Sequence, residues 1–162
     1  MMRAALPSQE DLRDLYRELI LDHARSPRHF GKLDNASHHA EGINPLCGDK
    51  LKVYLQIDAE KNITDASFEG SGCAISVASA SLLTETVIGQ TTDQALACFA
   101  AMVATLTGTE ATGAGDPADV DLGKLAALQG VKEFPARVKC ATLAWHALTA
   151  AIHDNHKPAT TE

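Results

Sequence analysis

The chain has 162 residues, 45% hydrophobic and 22% charged, with a formal net charge of −7 and a pI near 5.4. That length supports one domain with a real hydrophobic core, spanning residues 1–162, and no apolar run approaches the ~20 residues a bilayer span needs. The acidic balance, the lack of clustered Lys and Arg and an aromatic content of only 4% argue against nucleic acid, so the expected partner is a protein.

The opening Met1-Met2-Arg3-Ala4-Ala5-Leu6-Pro7 lacks the apolar h-region of a secretory signal, so the expected location is the cytoplasm. A capping box at residues 8–11 then leads into a first helix, with Leu12, Leu15, Tyr16, Leu19 and Ile20 on one face. It stops at Ser26-Pro27, because proline pushes the preceding residue out of the α region and cannot continue the ladder. Residues 28–35 read as a polar connector. A first strand over 37–43 is weakly marked, with Ile43 its only strongly β-prone apolar residue. Leu51, Val53, Leu55 and Ile57 alternate at period two, and residues 63–68 follow as the second arm of a hairpin.

After Gly70-Ser71-Gly72 the pattern turns helical over 74–88, and Gly89 closes the helix. Another helix is predicted over 92–106 with Leu96, Phe99 and Val103 inward. Residues 107–120, rich in Gly, Thr, Ala and Asp, read as a long loop, and 122–128 as a short helix. Pro135 at an N1 position opens the last helix, whose stripe is Val138, Ala141, Trp145, Leu148 and Ile152. Residues 153–162 are expected to fray. The resulting class is α+β: a small three-stranded antiparallel sheet, helices packed mainly on one face, and a metal site at one edge.

Four cysteines in a chain with no sign of an oxidising compartment point to metal or thiol chemistry. Cys47 stands in a Pro/Gly turn before a strand, Cys73 at the start of one helix and Cys140 in the first turn of another. Helix N-termini favour the thiolate that binds metal. With Asp49, these three cysteines form a tetrahedral donor set suited to zinc, although no C-x-x-C pair marks a zinc finger. As the one hard oxygen ligand, Asp49 is expected to exchange most easily. The glycines flanking the sulfurs are expected to let a second molecule approach. Cys98, among Leu96, Phe99 and Ala100, reads as a small buried hydrophobe. The seven histidines, His38-His39 and His146 included, have no spacing that joins the cysteine set and read as surface or capping residues.

Asn44-Pro45-Leu46-Cys47-Gly48-Asp49, Gly72-Cys73-Ala74-Ile75-Ser76 and Lys139-Cys140-Ala141 resemble the three cysteine motifs of the NifU/IscU/SufU iron–sulfur assembly proteins. The segment Asp22-His23-Ala24-Arg25-Ser26-Pro27-Arg28 is similar to the end of that family's first helix. The family's scaffold branch typically has a histidine before the third cysteine and a Leu-Pro-Pro-Val-Lys chaperone signal. This chain has Lys139 and Phe134-Pro135-Ala136-Arg137-Val138. With its long insertion between the second and third motifs, it resembles the SufU branch instead.

That resemblance implies a zinc-dependent sulfurtransferase working with a cysteine desulfurase of the SufS type and with downstream Suf scaffold proteins. Cys47 would be the nucleophile, Asp49, Cys73 and Cys140 would hold the metal with it, and Arg137 would stabilise anionic sulfur or a partner carboxylate. The alternatives are a scaffold that assembles a transient [2Fe–2S] cluster, or holds iron, on the same ligands, and an activator that only stimulates the desulfurase.

Overall fold

A computed structural model of the chain describes residues 9–45, 48–107, 128, 135–153 and 159–160. Helix α1 (Gln9–Arg25) precedes strands β1 (His38–Asn44), β2 (Asp49–Ile57) and β3 (Ile63–Ser71). Helices α2 (Ala74–Val87), α3 (Thr92–Thr107) and α4 (Pro135–Ile152) follow, and a two-residue strand β4 (Ala159–Thr160) comes last. The sheet order is β3-β2-β1-β4, antiparallel among the first three, with β4 parallel to β1. The three-stranded sheet read from the sequence therefore gains a short edge strand, within the segment expected to fray. Ser8 of the capping box, the side chains of Leu12, Leu15 and Tyr16, residues 108–120 of the expected loop and 122–127 of the expected short helix lie outside the described residues, while Thr107 still belongs to α3.

Period two is visible in the burial of β1 and β2. Ala40, Gly42 and Asn44 on β1 and Asp49, Leu51, Val53 and Leu55 on β2 are buried, with α4 packed on both strands and α2 on β3. Both helices are buried almost all round. Ser79 Oγ donates to the Ala141 carbonyl at 2.5 Å, a contact that its small neighbours allow by bringing the helices close. Trp145, Phe68, Leu82, Leu83, Leu143 and Leu148 are fully buried between helices and sheet. Among the described residues, no helix is long and apolar enough to cross a membrane.

Helix α3 corrects the sequence reading. Its buried side is Ala95, Cys98, Met102 and Leu106, while Leu96, Phe99 and Val103 are only partly buried. The helix is apolar nearly all round, so periodicity cannot select the inward stripe. Phe99 still stacks on Trp145, with ring centroids 6.0 Å apart.

The end of α1 is fastened to α2 by polar contacts. His23, expected at the surface, is fully buried, with Nδ1 2.7 Å from Ser81 Oγ. The Arg28 backbone N–H donates to the same hydroxyl, its guanidinium pairs with Asp22 at 2.6 Å, and His29 Nδ1 lies 3.1 Å from Thr84 Oγ1. The connector that follows is bonded to the sheet rather than free of it. Gly31 N–H donates to the Phe68 carbonyl and Phe68 N–H to that of His29.

Candidate metal and sulfur site

Asp49 opens β2 directly opposite Asn44, the last residue of β1. The turn between them holds Cys47, which lies outside the described residues. Gly48 follows with a φ of 73° and donates its N–H to the Asn44 carbonyl at 2.9 Å. Both Asn44 and Asp49 are buried, which a carboxylate tolerates only when its oxygens are satisfied.

Satisfaction comes from the start of α2. Cys73 is the N-cap of that helix and makes no side-chain cap of its own. Its N–H donates to Asp49 Oδ1 at 2.9 Å, and the buried Ser76 hydroxyl donates to Asp49 Oδ2 at 2.7 Å. Asp49 thus takes from the sheet the N-cap N–H that the third-position side chain of a capping box would otherwise accept. Two bonds anchor the side chain expected to exchange most easily.

Gly72 has a reason inside the fold, a close approach of its backbone to Asp49 and Ser76. A Cβ there would lie 2.8 Å from Asp49 Oδ1 and 3.1 Å from Ser76 Cβ, so only glycine lets the carboxylate reach the helix start.

Helix α4 brings the third ligand. Pro135 is its first residue, as predicted, which puts Cys140 in the second turn rather than the first. The free N–H groups of the helix end are therefore one turn away, and Cys140 is polarised by side chains instead. Asn44 Nδ2 lies 3.8 Å from its buried Sγ. The exposed Arg137 stands three residues before Cys140 on the same helix, and the negative charge of the Cys73 and Cys140 sulfurs raises its pKa further.

Asp49, Cys73 and Cys140 each offer one ligand atom, and these atoms all lie within 4.8 Å of one another. No histidine joins the group among the described residues. Burial opposes ionisation of the half-buried Cys73 thiol. Hydrogen bonds from the Ser76 backbone and hydroxyl and from Cys140 outweigh it and hold the thiol below the ordinary cysteine range. Cys98 is the opposite case. Buried on α3, its thiol is pushed up to about 11 by desolvation, in keeping with a core role.

Three of the five residues singled out in the sequence are therefore gathered as possible ligands, Arg137 is raised in pKa by the charge of two of them, and Cys47 lies outside the described residues. Ser76 and Asn44 were missed, although both stand inside quoted motifs. Ser76 at the third helical position after a cysteine N-cap was the available signal.

Donors of this kind, delivered by a strand start, a helix cap and a second helix, could together hold a metal ion. Residues 15–141 match the family described as NifU-like N terminal domain, and the chain belongs to that family. It is 41% identical over 142 residues to the zinc-dependent sulfurtransferase SufU of Bacillus subtilis, covering 88% of this chain and 92% of that protein. It is also 41% identical over 144 residues to the iron–sulfur cluster assembly scaffold protein IscU of Streptococcus pyogenes, covering 87% and 84%. A crystal structure of FiSufU from Fervidobacterium islandicum AW-1, described as an assembly scaffold for the SUF system, superposes with a TM-score of 0.75. That match has 36% identity and covers 83% of this chain and 94% of that one.

Proposed function

We propose that the chain is a zinc-dependent sulfurtransferase of iron–sulfur cluster assembly that accepts persulfide sulfur from a cysteine desulfurase of the SufS type. The observation behind this reading is the donor set itself, a buried carboxylate and two thiols with an arginine on the sulfurs and Lys139 where the scaffold branch carries an imidazole. Thiols and a carboxylate fit zinc, and each Asp49 oxygen keeps a lone pair beyond its one hydrogen bond from α2. Asp49, Cys73, Cys140 and Cys47 are the proposed holders of the metal. When bound, zinc keeps the thiols deprotonated at neutral pH.

Cys47 is two residues before Asp49 in the β1–β2 turn, so the chain itself keeps it near the site. Its thiolate attacks the outer sulfur of the desulfurase persulfide. A new S–S bond forms on Cys47, the S–S bond of the desulfurase breaks, and the desulfurase cysteine leaves as thiolate, with no net oxidation. Arg137, fixed in a planar fork of donors, stabilises the anionic sulfur during the exchange. Downstream Suf scaffold proteins then receive the sulfur.

The second reading, a scaffold holding a transient [2Fe–2S] cluster on the same ligands, is supported by the similarity to IscU. Metal analysis of protein purified without added iron, read beside its absorption spectrum, separates the two. A colourless protein with about one zinc per chain is expected. Stoichiometric iron with acid-labile sulfide and visible absorption would replace the transferase reading with the scaffold one.

A further inference from the structure

We infer that Ser76 is a positioning residue for the metal site, holding the Asp49 carboxylate in the orientation from which it binds zinc. The inference rests on the zinc reading above. Ser76 is fully buried in the first turn of α2, 27 positions beyond Asp49, and its hydroxyl lies 2.7 Å from Oδ2 and 3.6 Å from Cys73 Sγ. The Cys73 N–H holds the other oxygen, Oδ1, at 2.9 Å. One bond would leave the carboxylate free to turn about its terminal torsion, which is soft and broad. A second donor on the second oxygen fixes the plane, so the remaining lone pairs face one way. The Cys73 and Cys140 sulfurs lie within 4.8 Å of a carboxylate oxygen. Groups that orient ligands in this way typically change metal affinity 10–100-fold when removed, on the order of what a direct ligand contact does.

A serine that merely satisfies a buried carboxylate predicts the opposite sign. Without its hydroxyl, Asp49 Oδ2 would be short of a partner in the metal-free protein, and a bound cation would relieve that deficit. Zinc would then bind as tightly as in the wild type, or more tightly. A positioning role predicts weaker binding, because the carboxylate must be reoriented each time.

The test is zinc affinity, measured by competition with a chromophoric chelator, for the wild type, Ser76→Ala and the shape-matched pair Ser76→Thr and Ser76→Val. Expected is a loss of about 10–100-fold for Ser76→Ala and Ser76→Val, with Ser76→Thr restoring most of it. If Ser76→Ala does not fold without metal, the rate of zinc loss from the loaded Thr and Val proteins gives the same comparison. Affinities unchanged or raised in Ser76→Ala, or equal losses in Thr and Val, would overturn the inference. Failure of the wild type to bind zinc would instead sink the zinc reading on which it stands.

Discussion

Gly72 and Asp49 are in such close approach that a methyl group on the glycine would sit 2.8 Å from the carboxylate oxygen. The residue before a helix N-cap is here shaped by a carboxylate on a strand that begins 23 residues earlier in the chain. Gly72→Ala is therefore expected to push Asp49 off its two donors, lowering stability by about 1–3 kcal/mol as overpacking does and reducing zinc content with it. Thermal unfolding with metal analysis checks this. An unchanged melting temperature with full zinc would mean that the carboxylate has room the geometry denies it.

Arg137 feels the charge of two sulfurs from an exposed position, so little packing depends on it. Arg137→Ala should retain zinc and fold but slow sulfur acceptance by roughly 10–100-fold, as loss of a charge-assisted contact to the reacting sulfur would. Arg137→Lys should recover little, since a single ammonium cannot span both sulfurs as a guanidinium fork does. The readout is the initial rate of persulfide transfer beside the zinc content. Normal rates in Arg137→Ala would remove the arginine from the mechanism.

The sheet and the helix starts were legible because their signals are local. Period-two alternation in Leu51, Val53 and Leu55, the glycines before Cys73 and the proline at 135 each act within a few residues. The inward stripe of α3 was not legible, since a helix apolar on every side gives no phase. Nor was β4, whose two residues carry no periodicity and depend on the edge that β1 offers. At the site, the donor types could be read but their fastening could not. Ser76 meets Asp49 across 27 positions and Asn44 meets Cys140 across 96, contacts that exist only once the sheet and helices pack. Buried His23 escaped for the same reason, its partner Ser81 being 58 positions away.

Cys98 should behave as an inert core thiol. Its pKa of about 11 against an ordinary 9.0 means that the unfolded chain ionises first as pH rises. This contribution to stability is therefore whole below pH 9 and declines between about pH 9 and 11. In metal-free protein at pH 8, alkylation should reach Cys73 well before Cys98, as followed by peptide mass spectrometry. Cys98→Ala is expected to leave zinc content and sulfur acceptance as they are. Early labelling of Cys98 would show a reactive thiol where the fold places a buried one.

Sulfur acceptance at Cys47 is tested most directly by mass spectrometry of the zinc-loaded protein after incubation with a SufS-type cysteine desulfurase and cysteine. One added sulfur on the peptide carrying Cys47 is expected, absent in Cys47→Ser and absent from the peptides of Cys98 and Cys140. Persulfide on Cys98 or Cys140 in place of Cys47, or no persulfide while an iron–sulfur chromophore forms on the same protein, would contradict a zinc-dependent sulfurtransferase.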